Sequence, residues 1–142
     1  MKQDSIVFDT FALLTFLKGE DDSTKVGGYL HKIQDKQLAG YLSAVNLSEL
    51  YYITMRENGY EDAEVLAASL KDWGLQITTA DEELAKRAGQ LKAQYAIPLA
   101  DAFAAATAQA ARTRLLTGDL DFQKLEQEIQ IEWISRGSSK KP

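Results

Sequence analysis

Short apolar segments alternate with helical patterns along this chain, and that alternation restricts the fold more than any other feature. Ser5 to Phe8 reads as a first strand, feeding a helix from Thr10 to about Lys18. Val26, Tyr29, Leu30 and Ile33 recur at helical spacing and predict a second helix. Gln37 to Leu42 reads as a strand, and Ser43 as the N-cap of a helix that stops at Asn58-Gly59. Glu61 to Trp73 predicts a further helix, Gly74 a break, and Leu75 to Thr78 a third strand. Thr79 and Glu82 have capping-box spacing ahead of a helix with Leu84, Ala88, Leu91 and Tyr95 on one stripe. Pro98 sits near the start of the next helix, which runs to about Arg112. Arg114 to Leu116, helical Phe122 to Gln127 and a strand from Ile129 to Ile134 complete the pattern. Strands that alternate with helices pair in parallel, with helices on both faces of the sheet. Ligands of such sheets bind outside the carboxyl ends of the strands, where the strand order reverses.

Carboxylates fall at those ends. Asp9 follows the first strand, and Asp119 follows Leu115-Leu116-Thr117-Gly118. Asp101 is the only charge in Leu99-Ala100-Asp101-Ala102-Phe103-Ala104-Ala105-Ala106-Thr107-Ala108. Alanine around it implies a helix packed close to the sheet, where an unpaired carboxylate would cost several kcal/mol. Glu49 lies two turns into the helix capped by Ser43. Each acid also has an ordinary reading. Asp9 fits a helix N-cap, Glu49 an exposed helix face, Asp101 a favourable helix-dipole position and Asp119 a capped turn. Together the four form a candidate site, because a parallel α/β sheet brings their regions to one end. Like charges gathered there need protons or a cation to neutralise them. With oxygen ligands, one histidine and no cysteine, the natural cation is Mg²⁺ or Mn²⁺ rather than zinc.

Composition bounds the setting. The 142 residues suit one domain, expected over 1–135, with the polar tail 136–142 expected to be disordered. No apolar run approaches the ~20 residues of a membrane span. The N-terminus lacks a signal-peptide pattern and the chain lacks cysteine, so a cytoplasmic location is expected. The net charge of −5 counts against a nucleic-acid binder that relies on bulk positive field. Cations bound at the acids would weaken that objection.

Four segments carry a resemblance. Val7-Phe8-Asp9-Thr10-Phe11-Ala12-Leu13-Leu14, Ser43-Ala44-Val45-Asn46-Leu47-Ser48-Glu49-Leu50, Ile97 to Ala108, and Leu115-Leu116-Thr117-Gly118-Asp119-Leu120-Asp121-Phe122 stand in order and cover the chain to Ile134. In these the chain resembles the PIN-domain ribonucleases, in particular the VapC-type toxins of toxin–antitoxin pairs. The resemblance implies a three-layer α/β/α fold with a five-stranded parallel sheet. It implies that Asp9, Glu49, Asp101 and Asp119 are the catalytic, metal-binding acids, with Asp121 secondary and Thr117 a supporting hydroxyl. Asp9 and Asp101 are the expected direct ligands, with Glu49 and Asp119 acting through water. It further implies one or two Mg²⁺ or Mn²⁺ ions, an RNA substrate cut to a 5′-phosphate and a 3′-hydroxyl, a cognate antitoxin and a homodimer.

Other classes fit less well. A receiver-like signalling domain also gathers acids and Mg²⁺ at strand ends, but it needs a lysine where Thr117-Gly118-Asp119 stands. A haloacid-dehalogenase-like phosphatase needs Asp-x-Asp after the first strand, and Asp9-Thr10-Phe11 lacks it. A PIN-like module that only binds RNA or protein remains an alternative, against which four intact acids count. His31, between Leu30 and Lys32, reads as a solvated or partly packed side chain rather than a base. Tyr51 and Tyr52 read as packing residues that could also stack on bases, and Trp73 and Trp133 as packing residues at element ends.

Overall fold

The computed structural model describes residues 4–134, so the expectation for the tail 136–142 falls outside the described residues. Five parallel strands form one sheet: β1 (Ser5–Phe8), β2 (Ala39–Ser43), β3 (Gln76–Thr78), β4 (Arg114–Thr117) and β5 (Ile131–Trp133), in the order β3-β2-β1-β4-β5. The helices are α1 (Thr10–Leu17), α2 (Ser23–Gln34), α3 (Ala44–Asn58), α4 (Tyr60–Asp72), α5 (Glu82–Gln94) and α6 (Leu99–Ala111). A 3-10 helix spans Leu120–Leu125 between β4 and β5.

Side-chain alternation in the strands builds two cores. Ile6 and Phe8 of β1 face one side, where Leu13 of α1, Val26, Leu30 and Ile33 of α2, Leu50 of α3 and Leu70 of α4 cover them. Val7, between them, faces the other side with Leu115 of β4. Leu84, Ala88 and Leu91 of α5, the alanines of α6, and Phe122 and Leu125 of the 3-10 helix cover that face. This is the three-layer α/β/α arrangement. β1 is buried along its whole length, as a central parallel strand must be.

Alanine lets α6 come close. Ala102, Ala104, Ala105 and Ala106 are fully buried where α6 packs on β1, β2 and β4. That approach carries the first turn of α6, with Asp101, toward the carboxyl ends of the central strands.

Local chemistry sets the ends of the helices, and in places it differs from the sequence-based expectation. Ser43 caps α3 as predicted, accepting from the Asn46 N–H at 3.0 Å. At α5 the cap is Asp81, which accepts from the Leu84 N–H at 2.9 Å, so the Thr79–Glu82 capping box does not form. Aspartate competes well for an N-cap, and here it stands nearer the first apolar position of the helix. The segment predicted as helical over Phe122 to Gln127 begins two residues earlier, because Asp119 starts the turn. β5 is shorter than the run Ile129 to Ile134, with Ile129 buried in the core ahead of the strand.

Ala105 of α6 is fully buried in the core on this face of the sheet. Ala105→Leu forces a large side chain into this core and should destabilise by about 1–3 kcal/mol. In a urea titration the midpoint should fall at unchanged slope.

Candidate metal centre

The parallel register assembles the site. Phe8 of β1 pairs with Leu42 of β2 and with Leu116 of β4, so the residues one step further are Asp9, Ser43 and Thr117. β1 leads sideways to β2 in one direction and β4 lies in the other, so the strand order reverses between β1 and β4. Asp9 and Thr117 therefore stand at the switch point, where open parallel sheets bind ligands.

Asp9 caps α1 and also lies beside the candidate site. One carboxyl oxygen, Oδ1, accepts from the Ala12 N–H at 2.7 Å and so caps α1. The other, Oδ2, accepts from the Thr117 hydroxyl at 2.5 Å. The side chain is only 2% exposed. Thr117 in turn accepts from the Asp119 N–H at 3.0 Å, and Asp119 Oδ1 accepts from the Asp121 N–H at 2.9 Å. Strand end, turn and 3-10 helix are thus linked by one chain of hydrogen bonds that starts at Asp9. Gly118 makes the turn possible. A Cβ there would lie 2.6 Å from the Phe11 ring and 2.9 Å from the Ile134 carbonyl oxygen.

The acids converge. Asp101, Asp119 and Asp121 each bring a carboxylate oxygen within 4.8 Å of the others. Asp101 and Asp119 are half-buried, and so is Glu49 on α3. Burial, with smaller contributions from the charges of Asp119 and Glu49, raises the Asp9 carboxyl from its ordinary 3.8 to about 7 against the pull of the Thr117 and Ala12 hydrogen bonds. Burial also raises Asp101, to about 8, with further contributions from the charges of Asp119, Asp9, Glu49 and Asp121. All five acids singled out in the sequence therefore share one electrostatic neighbourhood. Asp121, read from the sequence as secondary, belongs to its tightest group.

An all-oxygen donor set of this kind suits Mg²⁺ or Mn²⁺. Asp101 adds a specific observation: its Oδ2 is buried and has no hydrogen-bond partner. A buried carboxylate oxygen without a donor is costly, and a cation would satisfy it. The residues present fit a divalent ion.

Other residues named from the sequence lie elsewhere. His31 sits on α2, its side chain 75% exposed and 3.4 Å from Asp35. The Tyr51 hydroxyl donates to Glu64 at 2.6 Å across α3 and α4, and Tyr52 is 44% exposed with Arg56 over its ring. Trp73 packs edge-on to Phe16, their ring centres 5.7 Å apart. One buried amide beside the acids, Asn46, is not picked out by sequence reasoning. Its polarity within Ala44-Val45-Asn46-Leu47 is the only sequence signal that marks it.

A family model of the PIN domain matches residues 6–128. The chain belongs to the PIN domain family. Solved structures share this PIN fold across nearly their full length. VapBC2 from Rickettsia felis, bound to a DNA fragment from its promoter, superposes with a TM-score of 0.71 at 18% identity, covering 92% of this chain and 99% of that one. VapC20 from Mycobacterium tuberculosis, a sarcin–ricin loop cleaving toxin, gives 0.66 at 17% identity, covering 84% and 93%. FitAcB from Neisseria gonorrhoeae gives 0.65 at 22% identity, covering 89% and 95%. A search of curated protein sequences finds no match.

The raised carboxyls make stability depend on pH in a defined direction. Asp9 and Asp101 hold their protons more tightly in the folded chain than in the unfolded one. Their contribution is complete below the unfolded value near 3.8 and is lost as pH rises through about 7 to 8. In EDTA, the Tm of this PIN domain should therefore fall between pH 5 and pH 8. Asp101→Asn should flatten that fall and raise the Tm at pH 8. Excess Mn²⁺ should raise the wild-type Tm more at pH 8 than at pH 5, because cation and proton compete. Differential scanning fluorimetry across these conditions checks all three.

Proposed function

We propose that this chain is a divalent-cation-dependent endoribonuclease and the toxin of a toxin–antitoxin pair. The observation that carries the reading is the convergence of acids from β1, α3, α6 and the turn after β4 at the switch point, with Asp101 Oδ2 buried and unpaired there. Membership of the PIN domain family supports the nuclease class. The toxin role draws on the likeness to VapBC2 from R. felis and to VapC20 from M. tuberculosis, a sarcin–ricin loop cleaving toxin.

Asp9, Asp101, Asp119 and Asp121 would hold Mg²⁺ or Mn²⁺, with Glu49 completing the charge of the site. When bound, such an ion supplies an activated water and neutralises charge that develops on a phosphodiester. A cation held there would favour the ionised form of Asp101, whose carboxyl burial otherwise raises to about 8. Thr117 fixes Asp9 by donating to Oδ2, so that carboxylate arrives already oriented. The backbone N–H of Asp121 does the same for Asp119. His31 is engaged with Asp35 on α2, a helix that contributes none of these acids, so proton acceptance falls to a carboxylate. The acidic walls repel a polyanion until cations occupy them, which makes RNA binding depend on the ion as well. The partners under this reading are an RNA substrate, a cognate antitoxin and a second copy of the chain, in the cytoplasm.

The test is cleavage of a panel of structured RNAs, a sarcin–ricin loop hairpin among them, by the purified protein. Cutting with Mg²⁺ or Mn²⁺, its abolition by EDTA, and its loss in Asp101→Asn and in Asp9→Asn are expected, with 5′-phosphate and 3′-hydroxyl ends. Both variants should remain folded, because each removes a charge from a crowded site. Cutting that survives EDTA, or that survives Asp101→Asn, would refute the assignment of the acids.

A further inference from the structure

The acids reach one crevice from elements far apart in the chain, and a single buried side chain ties three of those elements together. Asn46, 1% exposed, lies in the first turn of α3, three residues before Glu49. Its side-chain nitrogen donates to the Thr10 hydroxyl at 3.2 Å and to the Ala100 carbonyl at 3.3 Å. Thr10 is the neighbour of Asp9 and Ala100 the neighbour of Asp101. The Thr10 hydroxyl donates back to the Asn46 carbonyl at 3.4 Å. The side-chain oxygen of Asn46 accepts from the Ser43 hydroxyl at 2.6 Å, at the end of β2. The Ala100 carbonyl can only accept, so the amide nitrogen must face it, and the orientation of the amide is fixed.

We propose that Asn46 is a positioning residue for the carboxylate site. Its amide sets the spacing between the backbone segments that carry Asp9, Glu49 and Asp101, and through that spacing it sets the affinity of the acids for a divalent cation. Asparagine suits the task because one planar group donates to two elements and accepts from a third. Aspartate would turn an oxygen toward the Ala100 carbonyl. Leucine, of similar shape, would take away the side-chain bonds to Thr10, Ser43 and Ala100 and leave only the backbone bonds of residue 46 to Ser43 and Thr10. Groups that orient metal ligands without touching the metal commonly alter affinity by about 10- to 100-fold when removed. The inference rests on the proposed function, since it takes the acids to be the cation site.

The experiment is Mn²⁺ titration by calorimetry, with Tm measured in parallel, on wild type, Asn46→Leu, Thr10→Val, Thr107→Val and Asp101→Asn. Thr107→Val is the structural control. Thr107 is equally buried on α6 and donates to the Phe103 carbonyl at 2.7 Å within its own helix, away from the acid-bearing turn. Asn46→Leu should weaken Mn²⁺ binding by about 10-fold or more. Thr10→Val, which removes one of the contacts, should weaken it in the same direction by less. Thr107→Val should lower the Tm and leave Mn²⁺ affinity unchanged. Should Asn46→Leu fail to fold, Thr10→Val against Thr107→Val decides the matter. Unchanged Mn²⁺ affinity in a folded Asn46→Leu or in Thr10→Val overturns the positioning role alone. Wild type that binds no Mn²⁺, or binds it no better than Asp101→Asn, overturns the cation site and the positioning role together.

Discussion

Everything at the carboxyl end of the sheet depends on how β1 pairs with β4. The register that places Phe8 beside Leu116 also places Asp9 beside Thr117, and the threonine hydroxyl closes the gap between the two strand ends. From that contact the turn follows. Gly118 passes between the Phe11 ring and the Ile134 carbonyl oxygen, where a side chain has no room. Asp119 then emerges with its own backbone N–H held by Thr117. A slip of one residue in this pairing would turn every side chain of β4 to the opposite face. Leu115 would leave the α6 core, and no hydroxyl would meet Asp9.

A cluster of acids works against folding, and the rest of the molecule offsets it. Desolvation and mutual repulsion push Asp9 and Asp101 far above their ordinary range, so the polypeptide is being held in an arrangement its charges oppose. The opposing force is apolar burial on both faces of a sheet whose central strand is fully enclosed. Alanine is the economical choice for α6, because a helix with short side chains approaches the sheet closely and leaves its first turn pointing at the site. The same geometry sets the charges against folding and leaves Asp101 Oδ2 buried without a hydrogen-bond partner.

Much of this was legible in the sequence, and the reasons differ by element. β1 and β4 were readable because buried parallel strands are continuous apolar runs, and Asp9 and Asp119 because they end those runs. Asp101 stood out as a lone charge among alanines. The capping pair at α5 misled because Thr79 and Glu82 have the right spacing, while Asp81, adjacent to the helix, takes the cap by accepting from the Leu84 N–H. The start of the 3-10 helix was missed because helical periodicity is weak over six residues, whereas the turn is set by the Asp119 side chain. Asn46 lies within a segment that carries the resemblance, yet nothing in the sequence assigns it a role. A buried amide that links three distant elements has no periodicity at all, and only the contacts of the folded chain reveal what it joins.

The central place of β1 also has a bearing on synthesis. Its partner on one side, β2, follows within about thirty residues, but its partner on the other, β4, begins more than a hundred residues later. At ribosomal rates of about 5–20 residues per second, the first strand waits on the order of ten seconds for the neighbour that completes its sheet. During that interval Asp9 has no Thr117, and α6, with Asp101, is still being made. A growing chain therefore holds only scattered carboxylates. The crevice can close only after Thr117 and Asp119 have been made.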